Sequence, residues 1–178
     1  MSATLLNQAL AHHQSGRLSH AQSVYQQILR LNPEHSDALH LLGLTHLQSG
    51  DPTTAVELIR RAVTLQPANP AYRGNLGVAL IEAGQPRDAL AEISRAAQLD
   101  STDPQYAMGV ANCHALCGNH AAAERQFAEV TARFPDYPLA WLNRGNFVRD
   151  QGRGEEALSH YEHAIALDAS LADAHNNL

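Results

Sequence analysis

Histidine and cysteine are the residues of this sequence that could most directly bind a metal ion. There are eleven histidines, and the two cysteines, Cys113 and Cys117, lie four residues apart with His114 between them. A closed zinc site needs four ligands that converge on one point, and this segment offers three. His160 and His163 could chelate a metal at a helix surface, but a solvated helix face explains their i, i+3 spacing more simply. We therefore predict no metal site and no cofactor.

Three further features could serve catalysis, and each has a simpler structural explanation. His12, His46 and His114 recur at multiples of 34 residues. Rings on successive repeats would lie roughly 10 Å apart, too far to share one metal ion, so we interpret them as a ladder of partly buried rings. The pair Glu155–Glu156 falls at a predicted helix start, where carboxylates favour the helix dipole. The sequence contains no phosphate-binding glycine loop, no serine nucleophile motif and no HExxH, so we predict no catalytic residue and no enzyme activity.

Asparagine also recurs at regular spacing, and its amide suits peptide binding. The recurring asparagines are Asn7, Asn75, Asn143 and Asn177, with Asn112 and Asn146 three residues further along their repeats. Such an amide donates and accepts at once, so it can hydrogen-bond the backbone of an extended ligand without demanding a sequence. The alternative is that asparagine merely solvates an exposed helix. The predicted peptide-binding residues are Asn7, His40, Asn75, Gln105, Asn112, Asn143, Asn146, Arg149 and Asn177.

The elements that position these side chains repeat every 34 residues, counted from Ser2, Ser36, Pro70, Pro104 and Pro138. Position 8 is Ala9, Gly43, Gly77, Ala111 and Gly145; position 15 is Gly16, Gly50, Gly84, Gly118 and Gly152; position 20 is Ala21, Ala55, Ala89, Ala123 and Ala157. Small residues at positions 8 and 20 let two antiparallel helices cross closely. Glycine at position 15 ends the first helix with left-handed backbone angles.

This pattern predicts an all-α fold, a right-handed α-solenoid of five helix–turn–helix repeats and the start of a sixth. The repeats cover residues 2–35, 36–69, 70–103, 104–137 and 138–171, with a partial repeat over 172–178, in one domain spanning 1–178. The predicted helices are 3–15, 18–31, 37–49, 52–65, 70–83, 86–99, 104–117, 120–133, 138–151, 154–167 and 171–178. No segment alternates with period two, so we predict no strand.

The columns resemble the tetratricopeptide repeat over residues 2–169. The segments ALHLLGLTHLQSGDPTTAVELIRRAV, NLGVALIEAGQPRDALAEI and LNRGNFVRDQGRGEEALSHYEHAIALD further resemble the arrays that precede bacterial SPINDLY-type O-linked N-acetylglucosamine transferase domains. In that family, inner-face asparagines hold the backbone of the protein substrate. The resemblance implies this role for Asn7, Asn75, Asn143 and Asn177, while Leu41 and Gly109 interrupt the column. The basic residues of a chaperone-binding carboxylate clamp are missing from the first three repeats.

Charge and composition indicate which classes of partner to expect. The net charge is −6, and all twelve basic residues are arginine. Nucleic acids and anionic membranes both attract a basic face, so we expect neither as a partner. The N-terminal segment lacks the charged and apolar regions of a signal peptide, and no stretch is apolar enough to span a membrane. We expect a cytoplasmic, bacterial protein.

The sequence leaves two alternative functions open, and its last hairpin also raises a question of self-association. The first is a non-catalytic scaffold that binds a peptide or protein segment in the concave groove of the solenoid. The alternative is the substrate-recognition arm of a larger transferase, of the O-linked N-acetylglucosamine, sulfotransferase or methyltransferase type, whose catalytic domain is not in this chain. The short final helix leaves the last hairpin without a polar cap. This favours a fragment of a longer protein, and it also raises self-association through that hairpin.

Overall fold

The computed structural model of the protein describes residues 2–177, and all the regular secondary structure in that range is helical. The helices are α1 (Ser2–Gln14), α2 (Leu18–Leu31), α3 (Ser36–Gln48), α4 (Pro52–Leu65), α5 (Pro70–Glu82), α6 (Pro86–Leu99), α7 (Pro104–Leu116), α8 (His120–Arg133), α9 (Pro138–Asp150), α10 (Gly154–Leu167) and α11 (Ala172–Asn176). The all-α prediction is confirmed. The ten long helices begin and end within one residue of the predicted bounds, and Leu178, predicted to end the last helix, lies outside the described residues.

Local sequence explains where these helices start and stop. Asp51 accepts a hydrogen bond from the backbone N–H of Thr54 at 3.1 Å, and Asp103 accepts one from Gln105 at 2.8 Å. Each acid is followed by proline, which has no N–H to leave unpaired at a helix start. The first helices of the five repeats all end before a glycine whose φ lies between +71° and +79°. The helix-ending role predicted for position 15 is thereby confirmed.

The small residues of position 8 lie against the bulky residues of position 24 in the paired helix. A Cβ added to Gly77 would overlap Cγ1 of Ile93, and one added to Gly145 would lie 2.6 Å from the ring of Tyr161. Real Cβ atoms do not approach other atoms so closely. Glycine is therefore required here by contact, because the two helices of the hairpin touch backbone to side chain.

The described chain divides into two compact units, unit 1 ending at Leu99 and unit 2 beginning at Asp100. The interior of unit 1 includes Ala9, Tyr25, Ile28 and Leu42, and that of unit 2 is built around Phe127, Leu142, Phe147 and Tyr161. Within residues 2–177, every helix is too short or too polar to serve as a transmembrane segment. The single domain over 1–178 stays a prediction.

Overpacking of the position-20 column should destabilise unit 1. Ala89 is fully buried in α6, and its carbonyl oxygen lies 3.5 Å from where a Cβ on Gly77 would be. We expect Ala89→Leu to lower the free energy of unfolding by about 1–3 kcal/mol, because added methylenes must displace well-packed neighbours. The matched control is Ala91→Leu, the same change at an exposed position of α6. Urea unfolding followed by circular dichroism distinguishes them, and equal midpoints for both variants would contradict close packing at Ala89.

Candidate functional site

The predicted peptide-binding residues all lie on the first helices of the repeats or at their ends, but their exposure differs. Asn7, Gln105 and Arg149 are exposed, whereas Asn75, Asn112, Asn143, Asn146 and Asn177 are half-buried. His40 is buried, with 9% of its surface exposed. The half-buried amides are therefore partly covered by other protein groups and partly open to solvent. The sequence did not indicate this difference in exposure.

In unit 1, the structure brings His40 and Asn75 together. Nδ2 of Asn75 in α5 lies 2.8 Å from Nε2 of His40 in α3. Burial lowers the pKa of His40 to about 4, although the nearby Asp37 carboxylate acts in the opposite direction. The imidazole is therefore neutral at pH 7, and its unprotonated Nε2 accepts the hydrogen bond from Asn75. Two of the predicted site residues thus form one structural pair.

Two further residues hold His40 in place. The His40 ring packs against the ring of Tyr72, with 4.5 Å between centroids. The Tyr72 hydroxyl donates a hydrogen bond to Oδ1 of Asp37, and burial together with this acceptor raises the pKa of Tyr72 to about 12. Asp37, Tyr72, His40 and Asn75 therefore form a continuous chain of contacts between α3 and α5, within unit 1.

In unit 2, Asn143 occupies the same register with different chemistry. Its Nδ2 donates to the backbone oxygen of Leu139 at 2.8 Å and to Sδ of Met108 at 3.3 Å. Met108 is 35 residues before Asn143, as His40 is before Asn75. A thioether is a weak acceptor, so the bond between first helices is weaker here than in unit 1.

The last asparagines of unit 2 bind one another. Oδ1 of Asn146 accepts from the Tyr161 hydroxyl at 3.1 Å and from Nδ2 of Asn177 at 3.0 Å. Oδ1 of Asn177 in turn accepts from Nη1 of Arg149 at 3.0 Å. Asn146, Asn177 and Arg149 thus form a connected polar cluster at the ends of α9 and α11. By contrast, Asn7 and Asn112 make no side-chain hydrogen bond to other groups within residues 4–177.

Sequence reasoning missed four residues that support this arrangement: Asp37, Tyr72, Met108 and Tyr161. For the first three, the usable signal was a spacing of 35 rather than 34, whereas Tyr161 lies 15 residues after Asn146 in the paired helix. A side chain on one first helix reaches the position one residue earlier in the preceding repeat, as in the pairs 37–72, 40–75 and 108–143. That offset depends on how consecutive first helices cross, which a column of identical repeat positions does not reveal.

The histidines and cysteines make structural contacts. His12, His46 and His114 are half-buried, and Nδ1 of His46 lies 3.2 Å from the Asp51 carboxylate. Burial raises the pKa of the Cys113 thiol to about 11, which disfavours the reactive thiolate at neutral pH. Among residues 2–177, no group of three or more histidine, cysteine, aspartate or glutamate side chains is arranged to hold a metal ion.

The solvated-face interpretation is wrong for His160. Only 8% of its surface is exposed, and its ring centroid lies 5.9 Å from that of Trp141. Burial lowers the pKa of His160, so the ring is neutral at pH 7. His163 is exposed as predicted, but its ring also packs on Trp141, with centroids 4.1 Å apart. The Trp141 indole of α9 packs against both of these α10 rings, which accounts for the difference between the expected and the observed exposure of His160. The i, i+3 spacing within α10 contains no information about this neighbour.

Comparison with known protein families agrees with the repeat pattern of the sequence. Two family models, both described as tetratricopeptide repeat, match the chain, one over residues 46–113 and the other over residues 6–70 and 117–172. No curated protein sequence matches it.

Solved structures with the same fold cover nearly the whole chain. YrrB, described as a TPR protein with an unusual peptide-binding site, is 24% identical, covers 99% of this chain and 91% of its own, and superimposes with a TM-score of 0.76. A thermophilic TPR protein of Thermus thermophilus, TTC0263, is 21% identical, with coverage of 99% and 96% and a TM-score of 0.78. A tetratricopeptide repeat protein from Parabacteroides merdae is 16% identical, with coverage of 99% and 69% and a TM-score of 0.90. These identities show a shared fold. Because the family models span most of its length and its helices keep the 34-residue register, this chain belongs to the tetratricopeptide repeat family.

Proposed function

We propose that this chain is a non-catalytic scaffold that binds an extended peptide or protein segment on the first-helix surfaces of its repeats. The observation that carries the proposal is that four half-buried asparagines, Asn75, Asn143, Asn146 and Asn177, are each held by a hydrogen bond to the preceding first helix or to a neighbouring side chain. A side chain already ordered in the free protein loses little entropy when a ligand arrives. The fold agrees with this use, since YrrB shares it and is described as having a peptide-binding site.

The unused hydrogen-bonding groups of these asparagines match a peptide backbone. Both contacts of Asn143 engage its Nδ2, so Oδ1 has no donor among the described residues. In Asn146 the open group is the nitrogen instead. Its Oδ1 accepts two hydrogen bonds, and its Nδ2 has no acceptor in the described range. An extended peptide presents N–H and C=O groups along its length. Asn143 would accept from a ligand N–H, and Asn146 would donate to a ligand C=O.

Removing these amides should weaken binding and leave the fold intact. The probe is a peptide selected by display on the full chain and then synthesised with a fluorescent label. We expect Asn75→Ala and Asn143→Ala each to weaken its binding up to about tenfold, since a lost hydrogen bond is worth about 0.5–1.5 kcal/mol. Fluorescence anisotropy gives the affinities, and circular dichroism verifies the helix content.

The matched control is Asn119→Ala. Asn119 is exposed, lies before α8 and makes no side-chain capping bond. Its replacement should leave the affinity unchanged. If wild type, Asn75→Ala and Asn143→Ala bound the peptide with equal affinity, the asparagines would serve only to solvate the helices, and the proposal would fail.

A second candidate function is the substrate-recognition arm of a larger transferase, of the O-linked N-acetylglucosamine, sulfotransferase or methyltransferase type. It is favoured by Asn7, Asn75, Asn143 and Asn177, which occupy the column where SPINDLY-type arrays carry inner-face asparagines. The reading frame beyond Leu178 tests it: a transferase domain there would support it, and a stop codon would exclude it. As part of the same proposal, we expect the chain to work in the bacterial cytoplasm. Sedimentation at high concentration tests self-association through the final hairpin, and a monomer throughout would exclude it.

A further inference from the structure

Unit 1 has a shallow depression that the asparagine column does not explain. It has a volume of about 420 Å³ and is lined by Leu47, Gln48, Gly50, Pro52, Val78 and Glu82. It lies where α3 and α5 end and α4 begins. Val78 is 45% exposed although it is a large apolar residue within a helix. An apolar side chain left open in a concavity is a place for a ligand side chain to bury.

The apolar character continues along the first helices of unit 1 and stops there. Leu44 is half-buried and occupies the same repeat position as Val78. In unit 2 that position carries Asn112 and Asn146. At this repeat position the first helices of the two units therefore differ in chemistry, being apolar in unit 1 and carrying an amide in unit 2.

The charge around the depression is negative. Glu82 is exposed, and no hydrogen bond or ion pair within the described residues engages it. The carboxyl ends of α3 and α5 also lie here, and helix C-termini favour cations. The opposing positive end of α4 is already compensated, because Asp51 accepts from the Thr54 N–H. No arginine lines the depression.

We propose that unit 1 recognises a segment in which a large apolar side chain, of leucine or phenylalanine type, enters this depression and a neighbouring lysine or arginine meets Glu82. The inference rests on the proposed function and specifies the ligand for one of its surfaces. The occupant is a basic, apolar peptide segment of a partner protein. Unit 2 contributes backbone contacts through its asparagines and no comparable side-chain selection.

The test uses the full chain and three short labelled peptides of otherwise equal sequence. One carries leucine beside lysine, one leucine beside glutamate, and one serine beside lysine. We expect the leucine–lysine peptide to bind most tightly. Glu82→Gln should weaken it about two- to fivefold, the range of an exposed ion pair, and should reduce its salt dependence. Val78→Asn, which copies the unit 2 residue, should weaken it about tenfold through lost apolar burial.

The matched control is Glu57→Gln, which removes an exposed carboxylate of α4 that does not line the depression, and it should leave all three affinities unchanged. Equal binding of the lysine and glutamate peptides, or of wild type and Glu82→Gln, would overturn the proposed selectivity. So would a failure of all three probes to bind. The proposed function stands independently, because peptides obtained by display that depend on Asn143 and ignore Glu82 and Val78 would support it while refuting this inference.

Discussion

Lowering the pH from about 6.5 to about 4 is expected to cost the protein roughly 3 kcal/mol of unfolding free energy through His40 alone. Burial lowers the pKa of this imidazole to about 4 in the folded chain, whereas an unfolded histidine titrates near 6.5. In this interval the unfolded state therefore binds a proton that the folded state does not. Protonation then favours unfolding, so stability falls as the pH falls.

The physical cost is the charging of a ring with little access to water. His40 packs on Tyr72, and its Nε2 lies against Nδ2 of Asn75, which cannot donate to a protonated nitrogen. The exposed carboxylate of Asp37 offsets part of this cost but does not reverse it. Above about pH 6.5 His40 is neutral in both states, so its contribution to the pH dependence vanishes there.

Urea unfolding at a series of pH values, followed by circular dichroism, measures the effect. We expect His40→Gln, which keeps a polar neutral side chain, to reduce the loss of stability between pH 6.5 and 4. His12 and His160, whose pKa values are also lowered by burial, titrate in both proteins, so the difference isolates His40. His163→Gln alters an exposed ring and serves as the control. Parallel stability curves for wild type and His40→Gln would show that His40 is charged without penalty.

Removing the Tyr161 ring is expected to destabilise unit 2 by about 3–5 kcal/mol, the usual cost of truncating a fully buried aromatic residue to alanine. Tyr161 has no exposed surface and lies directly over Gly145, so α9 has no side chain that could fill the resulting cavity. Its hydroxyl also donates to Asn146. Tyr161→Ala should therefore shift unfolding to lower urea and loosen the polar cluster of Asn146, Asn177 and Arg149.

Tyr161→Phe separates these two contributions. It keeps the ring and removes the hydroxyl, so we expect a loss of about 1 kcal/mol. Trp141 is the single tryptophan of the chain and lies in α9, so its fluorescence reports on unit 2. If Tyr161→Ala unfolded at the same urea concentration as Tyr161→Phe, the ring would not be a main support of the α9–α10 hairpin.

The repeat, the helices and their ends were predictable because they follow from local and periodic properties of the sequence. The helix end at position 15 requires left-handed backbone angles, which glycine adopts without steric penalty. Aspartate followed by proline marks a helix start through residues that are neighbours in the sequence. The close approach at positions 8 and 20 was also predictable, because only small residues recur there. The candidate residues Asn75, Asn143 and Asn146 could be named for the same reason, since they recur at the repeat spacing.

The partners of those residues depended on tertiary structure. Consecutive first helices cross so that a side chain meets the residue 35 positions earlier, which pairs Asn75 with His40 and Asn143 with Met108. The offset comes from the packing of one helix surface on another, and no column of repeat positions contains it. The sequence by itself therefore determined the helical hairpins and the asparagines they present. Packing alone determined which amide groups stay open to a ligand, because hydrogen bonds within each unit occupy the others.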